Sequence, residues 1–408
     1  MNHDIPKIEY WFVMLIPLIN VIVPFLMIDY DPGGLHAGTV RGFLIIMFCG
    51  YFVFKRLEFW PVNMFIMLFL LYFIIIIVDS NFSYKALYSF SHVVITSLMF
   101  SVGYFYIRKF EDLVILNRIF VICLVIICMY LLYANIFKFG TSDYLEDSLY
   151  FGDVNVAITK TMAALLVTAP VILLLEKSRK GYLILLFLIS LLFILMGLKR
   201  SALLSIVCAL VIYILLAPEK LRIVKAGVIL VVLLILFSPL YLDTLFDRYT
   251  AREEAVDSML RPGESIEERR DRMGEFLRVI DIVNDEGSWA MLFGIRAFDI
   301  VGVVPLGGRR PLHVDYSVFL YSGGYIGLMF FLLLYVFIHF EKERYYKNVK
   351  HYFWAREMNA VFYALIGLAL IMSIAGSWAS IGLRSIIFIY LGGITAVMKN
   401  YVYNETSS

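Results

Sequence analysis

Ten arginines (Arg248, Arg252, Arg261, Arg269, Arg270, Arg272, Arg278, Arg296, Arg309, Arg310) and no lysine fall between Ser238 and Tyr316, the one long polar interval in a chain otherwise made of apolar runs. A loop that needs charge alone mixes Lys with Arg. A site that grips phosphate or carboxylate oxygens favours the planar, permanently charged, bidentate guanidinium. The interval closes on Pro311-Leu312-His313-Val314-Asp315-Tyr316. His313 is its one histidine, and imidazole is the side chain suited to accept a proton near neutral pH. Asp315, two residues on, is spaced to orient His313 or to be the base itself. Together these residue types suit a reaction at a diphosphate-bearing substrate. The plainer alternative is a solvated cap whose arginines pair with its own acidic residues, with His313 a hydrogen-bonded structural residue. Tyr316, Tyr321 and Tyr325 read as an interfacial aromatic belt in preference to sugar-stacking rings.

Further cations stand where a membrane protein should avoid them. Arg41 opens the second apolar run, Lys160 lies about one turn inside the sixth, Lys199-Arg200 cap the seventh, and Arg384 lies inside the twelfth. Each costs on the order of 2–3 kcal/mol in the hydrocarbon unless paired or hydrated. Separate snorkelling to headgroups explains any one of them; their convergence on one level suggests a shared anionic partner. Arg200, Arg269, Arg270 and Arg272, with Lys199, Arg41, Arg384 and Lys160, are therefore the candidate diphosphate-binding residues. Asp29-Tyr30-Asp31-Pro32-Gly33-Gly34 has two carboxylates spaced to hold a divalent cation, but the same letters make a good turn, the preferred reading. There is no P-loop, dinucleotide fingerprint, HExxH or Cys/His cluster, so ATP-driven transport is disfavoured and no metal or other cofactor is expected.

The elements that must position these residues are helices in a bilayer. With 62% hydrophobic and 17% charged residues, the chain is too apolar for a water-soluble globule. Apolar runs long enough to cross as helices fall near 10–28, 40–54, 60–78, 86–107, 115–137, 156–175, 181–198, 201–217, 224–242, 316–339, 358–376 and 380–398. The expected fold is all-α and polytopic, with about twelve spans. Residues 1–238 carry spans one to nine, 239–315 form an extracytoplasmic loop, and 316–408 carry the last three spans and a short cytoplasmic tail. Alternate short loops collect Lys55-Arg56, Arg108-Lys109, Lys177 with Arg179-Lys180, Lys220 with Arg222 and Lys225, and Lys342 to Lys350 with Arg356. By the positive-inside rule these are cytoplasmic, as are both termini. The arginine-rich loop then faces outward. Within it, Ser265-Ile266-Glu267-Glu268 fits a capping box, and Met273, Phe276, Leu277, Ile280 and Val283 recur at helical spacing. An amphipathic helix over about 266–284 is predicted, with Arg269 and Arg272 on one flank. Cys49, Cys123, Cys128 and Cys208 lie in apolar runs and read as packing residues. The first apolar run reads as a retained helix. No basic, aromatic-interleaved segment suggests nucleic acid.

Leu198-Lys199-Arg200-Ser201-Ala202-Leu203-Leu204, the long loop after the ninth span, and His313-Val314-Asp315-Tyr316 running into Ser322-Gly323-Gly324-Tyr325-Ile326-Gly327-Leu328 resemble the O-antigen ligase and polymerase superfamily. The family's arginine-glycine-alanine-leucine-leucine pattern matches at Arg200, with Ser201 in place of the glycine. Its histidine-asparagine pair matches at His313, with Val314 in place of the asparagine. That second departure points to the Wzy-type repeat-unit polymerases over the ligases. The resemblance implies an inner-membrane glycosyltransferase, metal-independent and inverting, that moves glycan from undecaprenyl diphosphate on the outer face during lipopolysaccharide, capsule or exopolysaccharide synthesis. A chain-length regulator and a flippase would be its partners. The alternatives are a ligase delivering glycan to lipid A core or protein, and, from another class, a flippase for the same precursors.

Overall fold

The computed structural model describes residues 7–26, 37–55, 61–79, 84–137, 156–176, 180–196, 200–219, 246, 250, 272–299, 303, 312–374, 376 and 381–407. They are 91% helical, with no strand among the described residues. In order, the helices are α1 (Lys7–Leu26), α2 (Ala37–Lys55), α3 (Pro61–Asp79), α4 (Tyr84–Tyr106), α5 (Phe110–Phe137), α6 (Val156–Val167), α7 (Ala169–Leu175), α8 (Lys180–Met196), α9 (Arg200–Leu216), α10 (Arg272–Asp285), α11 (Ser288–Phe293), α12 (Asp315–Val349), α13 (Phe353–Ile374) and α14 (Ile381–Ser407). A chain this apolar must satisfy its backbone internally in lipid, and helices do so segment by segment. Among the described residues, six helices are long and apolar enough to cross a membrane, or seven if the bent pair α6 and α7 is one span. The chain is thus a multi-pass membrane protein by the length and composition of its helices. These helices answer to the expected spans 60–78, 86–107, 115–137, 156–175, 316–339, 358–376 and 380–398; α2, α8 and α9 hold only shorter apolar stretches, and the ninth expected span, 224–242, lies outside the described residues.

Apolar residues on both sides of a helix mean one side meets protein and the other lipid. In α3, Phe65, Ile66, Phe69, Phe73 and Ile77 are buried, while Met64, Leu68, Leu71, Ile75 and Val78 are exposed. The bundle centres on α14, whose residues from Leu383 to Met398 are buried. Its closest neighbour is α4. There the two backbones touch: a Cβ at Gly103 would overlap the carbonyl of Ile389, and one at Gly392 that of Phe100, the close approach that small residues permit. The 46° bend between α6 and α7 has a local cause. Pro170 lies in the first turn of α7 and has no N–H to give the preceding turn.

The expected continuous span 316–339 is instead a helical hairpin. Gly324 inside α12 has φ 62° and ψ −164°, a conformation open to glycine. In a straight helix Phe319 and Phe331 would lie about 18 Å apart; their rings stack at 4.3 Å. Asp315 and Tyr335 both bond one guanidinium, that of Arg384. The first arm, 315–323, therefore folds back along the second, 325–349, which is about 37 Å long and long enough to cross alone. The segment after α10 clasps the tip: Ile295 N–H donates to Tyr321 O at 2.9 Å and Phe298 N–H to Ser322 Oγ at 3.0 Å. Tyr72 Oη of α3 donates to Gly323 O at 2.5 Å.

Among the described residues, contacts bring the start of α1, the ends of α2, α4, α12 and α14 and the start of α5 to one end. Lys55 pairs with Glu9 at 2.8 Å, Tyr106 also donates to Glu9, Asn400 donates to Arg108 O, and Tyr104 donates to Glu341. The entries to α6, α12 and α14 lie away from that end.

Candidate functional site

Three chain entries meet inside the bundle: residues 312–315 leading into α12, Gly376 after α13, and the first turn of α14. Arg384 is fully buried there. Its Nη2 donates to Asp315 Oδ2 at 2.7 Å and to Ser373 Oγ at 2.6 Å, and its Nη1 to Tyr335 Oη at 2.7 Å. One guanidinium thus ties both arms of α12 to α13 and α14. A charge taken this far from water persists only with a partner charge and further hydrogen bonds, and Asp315, 2% exposed, is that partner. The level is deep: Tyr335 lies about 16 Å along the second arm from the Gly324 tip.

Lys160 is buried on α6 and donates through Nζ to Gly376 O at 2.9 Å. Gly376 has φ 70°, and a Cβ on it would overlap the carbonyl oxygen of His313. On the other side of His313 stands α10. Glu275, 1% exposed, accepts the backbone N–H of both His313 and Val314 on Oε1, each at 2.9 Å. Its Oε2 lies 3.7 Å from Arg272 Nη1. The carboxylate therefore takes N–H groups at the entry to the first arm of α12, where an anion is favoured. Among the described residues, buried polar groups without a hydrogen-bond partner lie on the helices of this set: the Asn20 carboxamide of α1, Ser317 Oγ and Ser385 Oγ. Asn20 O and Thr161 Oγ1 both adjoin Gly382 in the first turn of α14. Buried groups of this kind are satisfied by water or by a ligand's oxygens.

Of the residues singled out by sequence, His313, Asp315, Arg384, Lys160 and Arg272 come together. Arg200 opens α9 and Arg41 lies in α2, but their side chains fall outside what is described, as do Lys199, Arg269, Arg270, Asp29 and Asp31 altogether. The loop helix is described from Arg272, so its capping box also lies outside. Its buried line is Glu275, Val279 and Val283, with Met273 and Leu277 exposed. The expected apolar stripe is thus rotated, because a carboxylate is needed at the α12 entry. Of the three tyrosines read as an interfacial belt, Tyr325 is exposed and donates to Asn284 at 3.2 Å. Tyr321 is buried under the clasp, and Tyr316 donates to Leu370 O at 2.9 Å and packs on Phe331, so these two meet protein. The hairpin turns both inward.

Sequence reasoning missed Glu275, Ser373, Tyr335 and Gly376. The i, i+4, i+8 run of Glu275, Val279 and Val283 carried a signal for the first; the others need the hairpin. It also missed a second buried polar set at the opposite end. Lys342, fully buried, donates to Glu343, to Asn359 Oδ1 at 2.5 Å and to Tyr363 Oη at 3.1 Å, and Tyr363 Oη is bonded to His339 Nδ1 at 2.8 Å. Glu357 accepts from Tyr213 nearby. No protein-family model matches the chain, and no curated protein matches it.

Proposed function

We propose that this chain is a membrane glycosyltransferase of the O-antigen ligase and polymerase type, joining undecaprenyl-diphosphate-linked oligosaccharide repeat units of O-antigen, capsule or exopolysaccharide. In this reading it crosses the inner (plasma) membrane about twelve times, with both termini cytoplasmic and the His313 end outward. The observation that carries the reading is the meeting of Lys160, Arg272, Arg384, His313 and Asp315 at one buried set of chain entries. The acceptor hydroxyl attacks the anomeric carbon of the donor sugar. The bond from that carbon to the diphosphate oxygen breaks, the hydroxyl proton passes to His313, and the lipid diphosphate leaves with the bonding pair. Diphosphate is already a good leaving group, so the protein's main task is to meet its developing charge with fixed cations. Arg272, with a side chain 38% exposed, and the other loop arginines supply them. Both terminal nitrogens of Arg384 are engaged by its own partners, and it acts by holding Asp315 and the hairpin in place. Asp315 is committed to that ion pair, and the His313 imidazole, two residues before it at the same entry, takes the proton.

A flippase for the same precursors is the second reading. What favours it is the buried charge at the far end, Glu341, Lys342 and Glu357, since a transport path needs ionisable groups at more than one depth. The glycan profile of a strain lacking the protein separates the readings. Single-repeat caps mark a polymerase, free lipid-linked polymer a ligase, and precursor held on the inner leaflet a flippase.

A further inference from the structure

Glu275 is a carboxylate on a loop helix, yet it is buried and aimed at backbone, with Oε1 2.9 Å from the N–H of His313 and equally from that of Val314. On the far side, the His313 carbonyl lies against Gly376, where no side chain fits, and Gly376 is in turn held by Lys160 through its own carbonyl. His313 is thus gripped through its backbone from two directions. The grip from α10 is the charge-assisted one, and such bonds are roughly twice as strong as neutral pairs. It also belongs to the helix that carries Arg272 and follows directly on the Arg269-Arg270 pair.

We propose that Glu275 is a positioning residue for His313, and that through it the seating of the arginine-bearing helix α10 and the placement of the His313 imidazole are a single event. A donor diphosphate drawn onto the loop arginines would then stabilise the arrangement in which His313 faces the acceptor. The two tasks, anion binding and proton acceptance, are joined by one carboxylate and not left to separate loops. This rests on the reading of His313 as the proton acceptor.

The test uses the full-length protein in lipid nanodiscs, with synthetic undecaprenyl-diphosphate oligosaccharide as donor. Hydrogen exchange of the peptide covering 313–314 is read beside turnover and donor KM, all normalised to folded protein. Glu275→Ala should speed exchange at 313–314 by about tenfold or more, the loss of a hydrogen bond to a charged group. It should lower kcat by a comparable factor and, because the same carboxylate seats the arginine-bearing helix, raise donor KM as well. Glu275→Gln keeps a neutral oxygen acceptor and should restore about half of each loss on a logarithmic scale. Asp281→Asn, an exposed change on the same helix, should leave both as they are. Should Glu275→Ala fail to accumulate, Glu275→Asp decides, because a side chain one methylene shorter cannot reach both N–H groups and must speed exchange. Unchanged exchange at 313–314, or reduced folded amount with unchanged turnover per folded molecule, overturns the proposal. Wild-type protein that binds donor and transfers nothing, while exchange still answers to Glu275, sinks the glycosyl-transfer reading and leaves the clamp.

Discussion

Removing either partner of the Arg384–Asp315 pair should destabilise the bundle far more than the pair itself contributes, and the two losses should not add. Both groups are buried, 0% and 2% exposed, with the closest N–O distance at 2.7 Å. Deleting one partner of such a pair leaves an uncompensated charge and typically costs about 3–5 kcal/mol. Arg384→Ala also strips donors from Tyr335 and Ser373, so it belongs at the upper end. Asp315→Ala leaves the guanidinium two of its acceptors and belongs at the lower. The double variant has no stranded charge, so its loss should fall short of the sum by about 0.5–3 kcal/mol, the range found for coupled neighbours. Asp315→Asn should resemble Asp315→Ala in stability, since the amide accepts a hydrogen bond but carries no charge. The assay is the unfolding midpoint in a mild detergent, read for all four proteins under one lipid-to-detergent ratio. Additive losses, or an Arg384→Ala variant as stable as wild type, would refute the placement of Arg384 as the tie between α12, α13 and α14.

The hairpin and the site make further predictions. Gly376→Ala should lower turnover sharply, because its Cβ would overlap the His313 carbonyl and φ 70° is strained for alanine; turnover equal to wild type would contradict the geometry at His313. Cysteines introduced at Phe319 and Phe331 on a cysteine-free background should crosslink within one chain, because the rings there stack at 4.3 Å; a straight helix holds them about 18 Å apart and gives no crosslink. Single cysteines near Ser258 and Gly307 should react with a membrane-impermeant thiol reagent in intact cells after outer-membrane permeabilisation, and one near Lys347 should not; labelling at 347 alone inverts the topology. Transfer in purified membranes should survive EDTA; loss on chelation with recovery on adding a divalent ion would point to metal-assisted chemistry.

Much of the helix layout was legible in the sequence because lipid leaves a chain few options: runs of apolar residues at α3, α5, α8, α9 and α13 can only be helices. The hairpin in α12 was not. Ser322-Gly323-Gly324 reads as a tolerated pair of glycines in an apolar run, and nothing local says that the arm before it turns back. That turn decides which tyrosines are buried and brings Asp315 to Tyr335. At the site, the charged residues were legible one by one, because a buried cation such as Lys160 or Arg384 is costly and conspicuous. Asp315 apart, their partners were not. Ser373 and Gly376 look like ordinary helix-end residues, and the line of Glu275 with Val279 and Val283 marks a buried face but not what the carboxylate bonds. Pairing depends on tertiary contacts with α13 and α10 that no spacing along the chain encodes.

In the proposed reaction His313 takes the proton of the acceptor hydroxyl beside a bound diphosphate. Donor binding and single-turnover transfer, measured on wild-type and His313→Ala protein and normalised to folded amount, test this step. Donor binding should stay within about twofold of wild type and transfer should slow by on the order of 10²–10⁴. Unchanged transfer per folded molecule would contradict it.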